Sequence, residues 1–199
     1  MRAYDIKEDT LLHILEGHTA QGKWPVSPCD KQITRLTTHL ILVTSVAIEP
    51  RLGIFYSASL DSHVRLWDAT TGDCVADCTR HSAAIRSMFR SCWRVFSGGD
   101  NGYCISWLSA SRENINVYYS DDGPLCDLCG DDYKVITCTE NSAKMWTSQD
   151  GQLMRILLEC RGQEKLSHVA YEGKQCALTH KDAQGYNMVT VIDVGSPNL

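Results

Sequence analysis

The segment from Val43 to Asp68, "VTSVAIEPRLGIFYSASLDSHVRLWD", decides the fold. It contains three short runs, "VTSVAIE", "IFYSAS" and "VRLWD", which are rich in β-branched and aromatic residues and are separated by turn sequences. A fourth run, "CVADC", follows at residues 74–78. No apolar period of 3.6 residues is present, so a helix is not indicated. The pattern predicts four short antiparallel strands.

The aromatic residue that closes this segment recurs at a nearly constant interval. Trp67 and Trp107 are 40 residues apart, and Trp107 and Trp146 are 39 apart. Tyr4 holds the equivalent position near the N-terminus, and Ile192 holds it 46 residues after Trp146. Each complete period contains four strand-like runs. Four strands in every 40 or so residues predict an all-β radial array.

The stretch "GH…VTSVAIEPRLGIFYSASLDSHVRLWD" resembles a WD40 repeat, and the resemblance covers the chain outside Gly17–Val46 with decreasing fidelity toward the C-terminus. It implies an all-β, WD40-type β-propeller that forms a single domain over residues 1–199. Closed rings have about 4 to 8 blades and WD40 rings usually have about seven, so about four blades of four antiparallel strands predict an incomplete propeller. Closure with four blades, the lower limit, is the alternative. The repeats are expected at residues 1–18 in part, 19–80, 81–120, 121–160 and 161–199.

The predicted strands at the two ends of the chain do not make whole blades. The N-terminal end supplies the end of a third strand, Arg2–Ile6, and an outer strand, Leu11–Leu15, whereas the C-terminal end stops after a third strand, Met188–Val194. In WD40 rings an N-terminal outer strand completes the last blade. We expect an open array instead: a fragment, a short isoform or a chain that needs a partner. Its open blade edges predict self-association.

The indole N–H of a buried tryptophan needs a hydrogen-bond acceptor. The WD40 resemblance implies that Trp67 belongs to a tetrad with Ser59, His18 and Asp61, linked in the order Trp67, Ser59, His18, Asp61. Ser59 lies eight residues before Trp67, and Asp61 lies six before it. Such a tetrad braces a blade, and none of its members is expected to be catalytic.

The later blades depart from this pattern. The residues at the serine and aspartate positions are Gly99 and Asn101 before Trp107, and Cys138 and Glu140 before Trp146. His81 is retained, although Arg80 replaces the preceding glycine. The degenerate blade centres are therefore His81, Asn101, Trp107 and Trp146. This degeneracy predicts looser C-terminal blades.

The resemblance also implies a binding face, because WD40 propellers present the loops at one face of the ring to peptides or other domains. Carrying over the usual contact positions gives Leu60, Asp100 and Thr139 in the turns and Ser82, Ala84 and Arg86 beside them. Arg86 is a candidate for an acidic or phosphorylated peptide. The alternative is that these are ordinary turn residues and that Arg86 is a solvated charge at a strand end.

Catalytic and metal-binding signals are weak. The sequence contains no GxSxG, no HExxH and no phosphate-binding glycine loop, so no catalytic residue is identified. Cys126 and Cys129 form the only CxxC, without a second pair for zinc. No cofactor is predicted, and the ten cysteines are interpreted as reduced residues that are mostly buried. We expect a non-enzymatic interaction scaffold. The alternatives are a truncated or mis-spliced product without independent activity and, third, a propeller enzyme or metal-binding protein.

Charge and hydropathy restrict the partners. The net charge is −5 and the basic residues are scattered, which disfavours nucleic acid. The longest apolar run, Leu40–Ile48, is far shorter than a membrane span, and the N-terminus lacks a signal-peptide pattern. The expected partners are other proteins or peptides, with no membrane, and the expected location is the cytoplasm or the nucleus.

Residues 22–42 interrupt the first repeat. Removing these 21 residues places Val43 four positions after His18, as Ile85 follows His81, and shortens the interval from Tyr4 to Trp67 from 63 to 42 residues. The segment begins with "GK", which a splice-donor-like GGTAAG would encode, and it ends in the apolar run "THLIL". It is interpreted either as a translated intron or as a genuine insertion, and reverse-transcription PCR across the junction distinguishes the two.

Overall fold

The computed structural model describes residues 2–5, 10–14, 42–109 and 114–195, and its regular elements are all β-strands. The all-β prediction is therefore confirmed, whereas His18 and nearly all of the interrupting segment 22–42 lie outside the described residues. The strands are β1 (Arg2–Asp5), β2 (Thr10–Ile14), β3 (Val43–Glu49), β4 (Ile54–Ser59), β5 (Val64–Asp68), β6 (Cys74–Cys78), β7 (Ile85–Arg90), β8 (Arg94–Gly99), β9 (Tyr103–Leu108), β10 (Asn114–Tyr119), β11 (Leu125–Gly130), β12 (Lys134–Thr139), β13 (Ser142–Thr147), β14 (Leu153–Glu159), β15 (Lys165–Glu172), β16 (Gln175–Lys181) and β17 (Asn187–Asp193).

The strands form antiparallel sheets in which neighbours in sequence are neighbours in space. β3–β6, β7–β10 and β11–β14 are four-stranded sheets, β15–β17 is three-stranded, and β1 pairs with β2. We call the four larger sheets blades 1 to 4. The predicted four-stranded antiparallel blades are confirmed for blades 1 to 3. Short turns explain this topology, because antiparallel neighbours need only a tight connection.

The blades stack through their inner strands. β3 packs against β7, β7 against β11, and β11 against β15. Middle strands are consequently buried on both faces, as in β12, whereas the outer strand β14 is largely exposed. Three apolar clusters fill the spaces between successive blades. Their principal members are Tyr56, Leu66, Ile85 and Met88 between blades 1 and 2, Phe96, Tyr118, Leu128 and Trp146 between blades 2 and 3, and Ile136, Met145, Leu166 and Leu178 between blades 3 and 4.

The array is open among the described strands. β15 and β3, the last and first inner strands, do not make the extensive contact that successive inner strands make. The N-terminal outer strand β2 pairs with β1 and not with β17, so it does not complete blade 4 as a closing strand would. Only four residues separate β1 from β2 in the chain, and closing so short a loop costs little entropy.

A buried ion pair joins blades 1 and 2. Glu49, at the end of β3, is 2% exposed, and Nε of Arg90 on β7 donates to its Oε2 at 2.7 Å. The backbone N–H of Arg51 donates to Oε1 of the same carboxylate at 3.1 Å. Both carboxylate oxygens are therefore satisfied inside the protein, which a buried charge requires.

A buried lysine joins blades 3 and 4. Lys134, the first residue of β12, is 2% exposed, and its ammonium group donates to the carbonyl oxygens of Gly195 at 2.6 Å and Val194 at 3.3 Å. These carbonyls directly follow β17. The end of β17 is therefore held against blade 3 through hydrogen bonds to a charged donor.

Candidate interaction face

Each blade tryptophan donates to a hydroxyl on the neighbouring middle strand. The indole Nε1 of Trp67 donates to Ser57 Oγ at 2.8 Å, so the predicted acceptor Ser59 was wrong. Trp67 pairs with Phe55 across the sheet, and Ser57 is the next residue on the same face. Ser59 lies further along, where its hydroxyl accepts the backbone N–H of Asp61 at 3.2 Å and braces the turn.

The same acceptor recurs in blades 2 and 3. Trp107 donates to Ser97 Oγ at 2.9 Å and Trp146 to Thr137 Oγ1 at 2.9 Å. Gly99 and Cys138 are therefore not at the acceptor position, and blades 2 and 3 have the tryptophan hydrogen bond although their sequences depart from the pattern. In blade 4, Ile192 replaces the tryptophan and the fully buried Leu178 takes the acceptor's place. Replacing both partners by apolar side chains leaves no polar group unpaired.

His81 extends the arrangement in blade 2. Its Nε2 lies 2.8 Å from Ser97 Oγ, so Trp107, Ser97 and His81 form a connected, buried set. Asn101 does not complete a tetrad with them, because its Nδ2 donates to Ser82 Oγ at 3.0 Å and its Oδ1 accepts the N–H of Tyr103 at 3.2 Å. Burial lowers the pKa of His81 from 6.5 to about 4. The imidazole is therefore neutral at physiological pH.

This lowered pKa predicts acid destabilisation. Below pH 6.5 the unfolded chain protonates His81 while the folded chain resists until about pH 4. The free energy of unfolding is therefore highest above pH 6.5 with respect to this group. It decreases by about 3 kcal/mol as the pH falls from 6.5 toward 4. Urea unfolding between pH 7.5 and 4.5 measures it. His81→Gln should flatten this dependence, whereas His168→Gln, which changes a largely exposed side chain, should not. Parallel curves for wild type and His81→Gln would contradict the assignment.

All four inner strands carry the same irregularity at the same place. The register of the inner strand against its neighbour shifts by one residue at Thr44, Arg86, Cys126 and Ser167. A bulged residue is left out of the regular pairing, so its side chain can be aimed differently from those of its neighbours. We call the surface formed by these four residues and the adjacent turn residues Asp100 and Glu140 the bulge face.

Two of the predicted contact residues on this face bind each other. Arg86 Nε donates to Asp100 Oδ1 at 2.7 Å, and its Nη2 donates to Oδ2 at 2.9 Å. The side chains are 50% and 30% exposed, and the hydrogen bonds to Asp100 raise the pKa of Arg86. An acidic ligand would therefore compete with Asp100 for the guanidinium. The other positions differ in exposure: Ser82 is exposed, while Leu60 and Ala84 are half-buried.

Thr139 is not on the face, which corrects its predicted role. Its side chain is fully buried, and its hydroxyl accepts the N–H groups of Asn141 at 3.2 Å and Ser142 at 3.0 Å. The turn after β12 is one residue shorter than those of blades 1 and 2, as the register shows. Because of this shorter turn, the residue seven positions before Trp146 is Thr139, which is equivalent to Ser59 and not to Asp100. The residue equivalent to Asp100 is Glu140.

The sequence pattern did not predict several charged residues that lie on or beside the bulge face. Glu140 forms an ion pair with Lys165, whose pKa it raises through the hydrogen bond. Lys144 contacts Asp121 at 2.6 Å and Asp122 at 2.7 Å. Burial would lower the pKa of Lys144, but hydrogen bonds to the two aspartates outweigh it and raise the pKa. The repeat interval could have predicted two further positions on the face, since Cys126 lies 40 residues after Arg86 and Glu140 lies 40 residues after Asp100.

The chemistry of Cys126 and its neighbours is not that of a reactive thiolate. Burial, followed by the nearby carboxylates Glu140 and Asp127, raises the pKa of Cys126, and burial also raises that of Cys129. Both thiols are therefore protonated at neutral pH, where a thiol is a poor nucleophile. Within the described residues, no group of three or more His, Cys, Asp and Glu side chains is arranged to hold a metal ion. That part of the chain also has no helix long and apolar enough to cross a membrane.

These features define the class of protein: the chain has the fold of a WD40-repeat β-propeller in an incomplete array. It is similar to the crystal structure of the RRP9 WD40 repeats, with a TM-score of 0.64, 16% identity and coverage of 76% of this chain and 51% of that one. It is also similar to the WD40 β-propeller domain of Doa1, with a TM-score of 0.62, 12% identity and coverage of 74% and 50%.

Curated proteins give shorter or more distant matches. Mitochondrial division protein 1 of Aspergillus clavatus is 35% identical over 57 residues, which are 29% of this chain and 9% of that protein. Autophagy-related protein 16 of Arabidopsis thaliana is 25% identical over 186 residues and the match covers 78% of this chain and 36% of that protein. The chain thus spans about a third or less of the length of these two relatives. No protein-family model matches it.

Proposed function

We propose that this protein is a non-enzymatic interaction module that binds another protein or a peptide through its bulge face. The observation that carries the proposal is the bulge repeated in all four inner strands, which leaves one residue per blade outside the regular strand pairing at equivalent positions. Similarity in fold to WD40 domains supports this class of function. Fold alone does not define function, so the binding role is assigned to the face.

The charges of the bulge face favour a ligand that carries both signs. The ion pairs Arg86–Asp100 and Lys165–Glu140 place positive and negative charges next to each other. The charges of Arg86, Asp100 and Glu140 all influence the pKa of the Cys126 thiol, which lies between them. Surface ion pairs contribute about 0–1 kcal/mol each, so a ligand can exchange partners with them at small cost. A peptide with neighbouring acidic and basic groups fits this arrangement.

A charge reversal tests the proposal. Asp100→Arg should place two cations together on the bulge face and weaken ligand binding at least about tenfold, the loss expected from turning one favourable pair into repulsion. The control is Asp77→Arg on the outer strand β6: Asp77 is 37% exposed, close to the 30% of Asp100, and accepts from Arg65 Nε at 3.1 Å.

Both variants and the wild type are used as bait in affinity capture with quantitative mass spectrometry. Proteins retained by wild type and Asp77→Arg but lost by Asp100→Arg are then measured by direct titration. A bound set that is the same for all three baits would overturn the assignment of the face. Normal thermal unfolding of the variants is required, so that loss of binding reports the surface.

A further inference from the structure

The last strand of the array, β17, has an open edge. Among the described strands only β16 pairs with it. Its apolar side chains are unusually exposed: Val189 is 65% exposed, Val191 60% and Met188 46%. The end of the strand is nevertheless held against blade 3 by Lys134. Within the part of the chain that the structure describes, β17 is therefore held in place at its end and has one edge with no paired strand.

The hydrogen bonds at its ends show which backbone groups point outward. The N–H of Val194 donates to Lys174 O at 2.8 Å, and the N–H of Asp182 donates to Tyr186 O at 3.0 Å. Along an antiparallel strand, the backbone N–H and C=O groups of successive residues point alternately toward one neighbouring strand and toward the other side. The residues between Tyr186 and Val194 therefore alternate between facing β16 and facing outward. Those with backbone groups directed at β16 are Met188, Thr190 and Ile192, and those with groups directed outward are Asn187, Val189, Val191 and Asp193.

Other strand edges of the array are interrupted, and this one is not. The outer strands β6, β10 and β14 each have at least one register shift against their neighbour. β16 and β17 instead form seven consecutive residue pairs without a shift. Bulges and charges are the means by which proteins protect strand edges from pairing. β17 has no charged residue before Asp193 and no proline. Its edge is suited to receive another strand.

The sequence of β17 identifies that strand. "NMVTVID" is nearly symmetric about Thr190, so an antiparallel copy of the strand would pair each residue with one of the same or a similar type. We propose that two copies of this protein associate through their β17 strands, antiparallel and centred on Thr190. The paired residues are then Val189 with Val191, Met188 with Ile192, and Asn187 with Asp193, in both directions across the two-fold axis. A two-fold interface requires a self-complementary surface of this kind.

The backbone register agrees with this centre. With Thr190 on the two-fold axis, the outward residues Val189 and Val191 face Val191 and Val189 of the second copy as hydrogen-bonded pairs, and Asn187 faces Asp193 likewise. The two β-sheets join into one. Val189 and Val191 of both copies form a cluster of four valines on one face, and cross-strand pairs of β-branched residues stabilise such sheets.

Sedimentation equilibrium of the full chain tests the proposal. Wild type should have twice the 22.2 kDa mass of the chain and dissociate on dilution. Val189→Lys should be monomeric at concentrations at which wild type is a dimer, because it places a charge against Val191 of the second copy. Val117→Lys, which changes a valine on β10 that is 50% exposed, should remain dimeric.

A charge-complementary variant checks the register. Val189→Lys combined with Val191→Glu should restore the dimer, since each lysine then faces a glutamate of the other copy. A wild-type monomer would overturn the proposal and would be expected if another segment of the same chain covered the edge. A dimer that Val189→Lys leaves intact, or a double variant that stays monomeric, would overturn it as well. Circular dichroism confirms that each variant is folded.

Discussion

Replacing Ser97 by alanine is expected to lower the free energy of unfolding by about 2–5 kcal/mol, because two buried groups lose their shared partner. The indole N–H of Trp107 donates to the Ser97 hydroxyl at 2.9 Å, and Nε2 of His81 lies 2.8 Å from the same oxygen. Alanine can satisfy neither group, and no water can easily reach them since all three side chains are buried. Urea unfolding at pH 7.5, where His81 is neutral, measures the loss.

The matched control is Ser82→Ala in the same blade. Ser82 also has a side-chain partner, Asn101, but it is exposed, and water can replace its hydroxyl. Its loss should change stability by no more than about 0.5 kcal/mol. If the two serine variants were equally stable, Ser97 would not be the acceptor that holds the centre of blade 2.

Arg90→Ala is expected to cost about 3–5 kcal/mol, because it leaves the Glu49 carboxylate buried without its cation. Glu49 is 2% exposed, and Arg90 Nε donates to it at 2.7 Å from the neighbouring blade. The variant should therefore loosen the contact between blades 1 and 2. Equilibrium unfolding by urea gives the magnitude, and hydrogen exchange of the β3 and β7 amides locates it.

Two further variants separate the charge from the size of the side chain. Arg51→Ala removes an exposed arginine whose backbone N–H, and not its side chain, donates to Glu49, so it should be nearly neutral. Adding Glu49→Gln to Arg90→Ala removes the stranded charge and should recover part of the stability. A double variant as unstable as Arg90→Ala alone would show that lost packing, and not the buried carboxylate, causes the effect.

Much of the fold was predictable because its signals are local. The 40- and 39-residue intervals between tryptophans identified the repeat, and turn sequences divided each repeat into short strands. The candidate site was less predictable. Ser57 and Ser59 lie two residues apart on the same strand and therefore on the same face, so spacing could not choose the acceptor. In blade 3 a turn shorter by one residue moved the exposed position from Thr139 to Glu140.

By itself, the sequence determined the all-β class, the number of repeats and the positions of the blade tryptophans. The tertiary structure alone decided which hydroxyl accepts from each tryptophan, that Arg86 is paired with Asp100, and that Glu49 meets Arg90 from 41 residues away. The physical reason is that strand identity follows from neighbouring residues, whereas hydrogen bonds and ion pairs depend on register, turn length and blade stacking, which distant segments set together.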